Sequence, residues 1–233
     1  MLLKVTGISK RFGARPALEG VSFSVHEGEV LGLIGPNGAG KTTLFECLAG
    51  LTPADAGEVE FRHQSLAPAR RKQALFYLPD GIRPWADQTV GFALSFFEGL
   101  YARPAGEGAE LVNTLKLEKL VKARIGSLSK GECKRTLLAL GLLTSQPLLL
   151  LDEPFDGLDL RQARDVMTLL RTYTSKGRTL FLSIHQLTDA ARVCDRLVLL
   201  GAGKVAGEGT LAELQMKAGL TEGGLEEVFL ALT

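Results

Sequence analysis

The sequence predicts an α/β chain with three parts. These are a mainly parallel sheet core, an antiparallel β-subdomain near the N-terminus and an inserted α-helical subdomain. Three observations predict it. Continuous apolar runs alternate with helical stretches, the pattern of parallel strands buried on both faces. The N-terminal part carries shorter, partly alternating runs. Residues 89–145 hold no convincing strand.

Val30 to Ile34, Leu148 to Leu151, Leu180 to Ile184 and Leu197 to Leu200 are the buried strands. Lys41 to Ala49 and Leu160 to Thr174 are helices between them. Leu2 to Thr6, Val21 to Val25 and Glu58 to Phe61 form the antiparallel sheet. The stretches FALSFFEGLY, ELVNTLKLEKLV and KRTLLALGLL suit helices. Two short helices follow from Leu211. A length of 233 residues fits one large domain. Residues 1–88 and 146–210 would form the core with its β-subdomain, 89–145 the helical part and 211–233 the C-terminal helices.

Apolar residues make up 45% and charged residues 23% of the chain, an ordinary globular composition that excludes a disordered or fibrous class. A net charge of +1 gives no overall basic field, so no nucleic-acid partner is expected. Cys47, Cys133 and Cys194 are odd in number and far apart, which fits free thiols in a reducing cytosol better than a disulfide framework or a zinc site. The N-terminus lacks the apolar run and cleavage site of a signal peptide. No stretch approaches the roughly 18 apolar residues of a membrane span. The expectation is a soluble protein, or one held at a membrane through a partner.

Three motifs carry chemistry. Gly35-Pro-Asn37-Gly38-Ala39-Gly40-Lys41-Thr42-Thr43 follows the strand VLGLI and opens a helix, the setting of a phosphate-binding P-loop. Gly35, Gly38 and Gly40 let the backbone turn so that successive N–H groups converge on phosphate oxygens. The helix start adds positive potential. Lys41 reaches the outer phosphates and the Thr42 hydroxyl suits Mg²⁺. An ATP site is therefore expected, on a core that resembles the P-loop NTPase (RecA-like) type. Second, Leu148 to Leu151 ends in Asp152 and Glu153, at the carboxyl edge where α/β sheets bind ligands. This strand is expected beside the loop's own strand. Asp152 would hold Mg²⁺ and Glu153 would polarise the attacking water. Third, His185 ends the strand LFLSI. A lone histidine is more often structural, but on that rim it is also placed to bond the γ-phosphate or the water.

These motifs, in this order, resemble the ATP-binding cassette (ABC) ATPase family over essentially the whole chain. Leu128-Ser129-Lys130-Gly131-Glu132 resembles its LSGGQ signature. Phe155-Asp-Gly-Leu-Asp159 resembles its D-loop, and Ile184-His185 its H-loop. Phe12 matches the position of the aromatic that stacks on adenine. The resemblance implies Mg²⁺-dependent ATP hydrolysis by a head-to-tail dimer of two copies. Each nucleotide would then meet the P-loop of one copy and Ser129 and Gly131 of the other, with Asp159 at the shared site. It also implies a separate transmembrane permease subunit and a peripheral place on the cytoplasmic face of the membrane.

Three positions depart from the family pattern. Lys130 stands for glycine and Glu132 for glutamine in the signature; Lys130 either adds charge near phosphate or points to solvent. Asp80, in Phe76-Tyr-Leu-Pro-Asp80, stands where the Q-loop usually has a glutamine that ligates Mg²⁺. It either binds Mg²⁺ through water or is a plain turn acid. Phe92, Phe96 and Leu100 recur near helical spacing, with Phe97 and Tyr101 extending the stripe. They read mostly as subdomain core, with Pro84 and Trp85 at the rim of a groove for the permease. The tail Leu225 to Thr233 resembles the ending of drug- and polysaccharide-type export cassettes. The competing reading is a soluble, non-transport cassette acting on nucleic acid or ribosomes.

Overall fold

In the computed structural model, residues 1–104 and 106–233 are described. The chain runs β1 (Leu3–Phe12), β2 (Arg15–Val25), β3 (Val30–Ile34), α1 (Lys41–Ala49), β4 (Ala56–Phe61) and β5 (Gln64–Ser65). It continues through α2 (Arg71–Ala74), β6 (Leu75–Leu78), α3 (Val90–Leu100), α4 (Glu107–Thr114), α5 (Lys130–Leu143) and β7 (Leu148–Asp152). It closes with α6 (Leu160–Ser175), β8 (Thr179–Ile184), α7 (Leu187–Val193), β9 (Arg196–Gly201), β10 (Lys204–Gly209), α8 (Leu211–Lys217) and α9 (Leu225–Leu232).

Two sheets result, in the orders β2-β1-β4-β5 and β10-β9-β3-β8-β7-β6. The first is antiparallel throughout. The second is parallel except for the β9–β10 hairpin. Successive side chains of a strand point to opposite faces, and the core divides accordingly. Ile34, Leu149, Leu151, Leu180, Leu182 and Ile184 join one apolar cluster with the inserted helices. Leu31, Leu33, Leu148, Leu150 and Phe181 join another, with α1 and the antiparallel sheet. Phe181 is fully buried there, its ring 4.9 Å from Phe45 and 5.2 Å from Phe23. Burying such a ring stabilises by roughly 1.5–3 kcal/mol.

Caps set the helix ends that matter for function. Ser129 and Glu132 form a reciprocal capping box at the start of α5, and Asp159 and Gln162 do the same for α6. Helix α1 ends at Gly50, in the left-handed region at φ 76°.

The structure departs from the sequence expectations in several places. β7 is not beside β3, because β8 lies between them. The strands β5, β6 and β10 give no clear strand signal: β5 is two polar residues, β6 is an apolar run of only four, and β10 carries two glycines and two charged residues. The stretch expected to be helical from Glu110 to Val121 stops being α-helix at Thr114. Lys116 takes φ 55° there, and the Arg135 guanidinium donates to the Leu115 and Lys116 carbonyls at 2.6 and 3.1 Å. A buried cation from α5 thus takes the acceptors that a further turn would have used.

Candidate functional site

The β3–α1 loop is shaped from behind as well as in front. Gly40 sits at φ 106°, and a Cβ there would fall 2.6 Å from the Ala17 carbonyl oxygen. A Cβ on Gly35 would fall 2.4 Å from the Leu200 carbonyl oxygen. Only glycine lets the loop seat against both neighbours. The result is a cleft of about 500 Å³ lined by Phe12, Arg15, Asn37, Gly38, Gly40, Lys41, Thr42, Thr43, Asp80, Asp152 and Glu153, flanked by Pro16, Ala17 and Pro36. Gly35 and Ala39 do not line it. The Gly35 carbonyl accepts the Lys41 ammonium at 2.7 Å, and the buried Ala39 bonds Pro36 and Gly203 through its backbone. Phe12, 54% exposed, and Arg15 face each other across the β1–β2 turn at one end of the cleft.

The acidic end of β7 meets this loop despite the intervening strand. Asp152 is only 5% exposed. One of its carboxylate oxygens accepts Thr42 Oγ1 at 3.0 Å and the Tyr77 hydroxyl at 3.3 Å. The other accepts the Ser183 hydroxyl of β8. Burial, and then the Asp152 charge, push the Tyr77 phenol well above its usual range, so it serves as a neutral donor. Glu153 Oε1 is 3.9 Å from the Lys41 ammonium, and Oε2 meets His185 Nδ1. Glu153 therefore sits between the loop lysine and the histidine.

Glu153 holds φ 50°, a costly left-handed conformation for a residue with a Cβ. Several bonds impose it. Its N–H donates to the Ser183 carbonyl at 3.2 Å and to Ser183 Oγ at 3.1 Å. Its carbonyl accepts Asp156 N–H at 3.2 Å and the Lys134 ammonium at 2.9 Å. Asp80 borders the cleft, but its carboxylate is ion-paired with the same Lys134, at 2.5 Å. It is neither a free turn acid nor a carboxylate free for metal in this arrangement.

Ser129, Gly131 and Asp159 do not line the cleft. They lie together where α5 packs on residues 156–159. A Cβ on Gly131 would fall 2.7 Å from the Gly157 carbonyl oxygen and near Gln162. Ser129 Oγ accepts Glu132 N–H, and Asp159 Oδ1 accepts the N–H groups of Arg161 and Gln162. Lys130, left open between phosphate and solvent, is bonded to Asp156 at 2.6 Å. That hydrogen bond holds the Asp156 carboxyl below the usual carboxylate range. The backbone N–H of Ser129 does the same for Glu132.

Ser183, Lys134, Tyr77 and Arg15 were missed by sequence reasoning. Ser183 becomes visible only through strand register, where it pairs with Asp152. For Lys134 there was a signal: two adjacent cations, Lys134 and Arg135, stand inside helix α5 just before its apolar C-terminal half.

The aromatic stripe also differs from expectation. Phe97 and Tyr101 pack into the core, but Phe92, Phe96 and Leu100 are 53%, 47% and 60% exposed. Trp85 stands over Phe96, with ring centroids 5.6 Å apart. These residues form an outward apolar patch rather than subdomain core. Among the described residues, no helix is long and apolar enough to cross a membrane.

Residues 18–156 match a family model described as ABC transporter. An uncharacterized ABC transporter ATP-binding protein of Methanocaldococcus jannaschii is 33% identical over 94% of this chain and 82% of its own length. The Nod factor export ATP-binding protein I of Burkholderia lata is 38% identical over 87% of this chain and 68% of its own length. A solved structure of an ATP-binding subunit of an ABC transporter superposes with a TM-score of 0.90 at 30% identity, covering 100% of this chain and 99% of the other. With a phosphate loop, a buried aspartate on its threonine and a glutamate between lysine and histidine already in one cleft, the agreement has a structural basis. The chain belongs to the ABC transporter family, as an ATP-binding subunit.

Proposed function

We propose that this cleft hydrolyses ATP and that the energy drives a separate membrane permease in the export direction. The observation that carries the reading is the placement of Glu153, with one carboxylate oxygen toward Lys41 and the other on His185. A carboxylate so held accepts a proton from water while His185 orients it, and Lys41 leaves the Gly35 and Pro36 carbonyls for the outer phosphates. Phe12 would stack on the base at the far end of the cleft.

The residues present fit Mg²⁺: Thr42 Oγ1 and Asp152 are hard oxygen donors within 3.0 Å of each other. They would hold the ion, which supplies charge neutralisation on the phosphate oxygens. Asp80 would join them only on leaving Lys134.

Ser129, Gly131 and Asp159 lie outside the cleft, which supports a head-to-tail dimer in which they serve the nucleotide of a second copy. The exposed patch of Trp85, Phe92, Phe96 and Leu100 supports a permease contact on the helical segment. Export rests on the tail resemblance and on the Nod factor export relative.

The test is Glu153→Gln. It should keep ATP affinity, lower the hydrolysis rate by about 10²–10⁴-fold and accumulate an ATP-bound dimer. A variant that hydrolyses ATP at the wild-type rate removes Glu153 from the reaction.

A further inference from the structure

We infer that Lys134 is a positioning residue for Glu153, with Asp80 as its obligatory counter-charge. The inference rests on the proposed ATP hydrolysis and adds a role to two residues outside the phosphate loop. The Lys134 side chain is 9% exposed. Its ammonium lies between the Asp80 carboxylate, at 2.5 Å, and the main-chain carbonyl of Glu153, at 2.9 Å. An ammonium offers three donors, and these two acceptors account for two of them.

The carbonyl contact matters because of the Glu153 backbone. At φ 50° that residue is held in a left-handed conformation that is unfavourable for a residue with a Cβ. The Ser183 contacts fix its N–H side, and Lys134 and Asp156 fix its carbonyl side. Releasing the carbonyl lets the peptide relax, and the carboxylate then leaves its place between Lys41 and His185. A nearly buried lysine needs a paired negative charge, and Asp80 provides it. The acid at the position where the family has glutamine is therefore half of an ion pair whose other half comes from helix α5.

The same helix carries Ser129 and Lys130 at its start, and Lys130 grips Asp156 on the other side of Glu153. Helix α5 thus holds the loop after β7 at two points, four residues apart on its own sequence.

The experiment uses the full chain. Lys134→Met keeps the side-chain stem and removes the ammonium. Its expected effect is a fall in kcat of about ten- to a hundredfold. The Kd for a non-hydrolysable ATP analogue should change by less than about twofold. Lys134→Arg, which can still donate to both oxygens, should restore most of the rate. Asp80→Asn should lower kcat similarly, and the double variant Asp80→Asn/Lys134→Met should be no slower than Lys134→Met alone.

Wild-type kcat in Lys134→Met overturns the inference. So does a fall in nucleotide affinity and in melting temperature that parallels kcat and is not relieved by arginine. Glu153→Gln separates the two readings: if it is inactive while Lys134→Met is fully active, only the positioning role fails. If Glu153→Gln is itself fully active, the hydrolysis reading fails.

Discussion

Replacing Ser183 by alanine should destabilise the protein through one hydrogen bond whose worth can be worked from the site. Ser183 is fully buried, and its hydroxyl donates to one Asp152 oxygen. It also accepts the Glu153 N–H at 3.1 Å, but that N–H keeps the Ser183 main-chain carbonyl at 3.2 Å. The second contact is therefore largely retained in the variant. What is lost is a bond to a charged acceptor that is only 5% exposed, so water does not easily replace it. Hydrogen bonds to charged groups are worth about 1.5–3 kcal/mol. For a chain of this size that corresponds to a fall in Tm of about 3–12 °C. Tyr77→Phe supplies the scale: its bond to the other Asp152 oxygen is longer, at 3.3 Å, and its loss should cost less. Urea unfolding of Ser183→Ala, Asp152→Asn and the double variant completes the cycle. The serine effect should shrink by about 1 kcal/mol or more when the acceptor is neutral. A loss below about 0.5 kcal/mol, the range of an ordinary surface change, would refute the reasoning.

Two further outcomes follow from the start of helix α5. Gly131→Ala places a methyl 2.7 Å from the Gly157 carbonyl oxygen. That contact should cost about 1–3 kcal/mol, less up to about 1 kcal/mol of regained helix propensity. Urea unfolding should find a net loss, and a net gain would mean that residues 156–159 yield freely. Glu132 has its carboxyl held below the ordinary glutamate value of 4.5 by the Ser129 backbone N–H, so its contribution is present above that pH and is lost as pH falls through the lower folded value. Glu132→Gln should melt slightly lower than wild type at pH 7, and the two should converge in acid below that value. A gap that persists or widens in acid would show that the charge is not what Glu132 contributes.

Much of the site was legible because local chemistry demanded it. A loop that bends at Gly38 and Gly40 before Lys41 needs those residues in a row. Asp152 and Glu153 announce a strand end by breaking an apolar run. Helix α1 was read with its observed ends for the same reason, since glycines stand at both of them. The three missed strands are short or at sheet edges, where burial does not impose a pattern. Phe92, Phe96 and Leu100 were misread because an apolar stripe at helical spacing is the same in sequence whether it faces a core or the outside.

The sequence by itself determined the family, the phosphate loop, the paired acids and the histidine, because each is a contiguous pattern whose chemistry is local. Only the tertiary structure decided what surrounds them. It put β8 between β3 and β7, which brings Ser183 onto Asp152. It turned Asp80 from a candidate metal ligand into the partner of Lys134, across 54 residues of sequence. It also set Ser129 and Gly131 outside the cleft that Lys41 and Glu153 share. The physical reason is the same in each case: a buried charge must find its partner in space, and chain distance carries no record of which strand or helix will supply it.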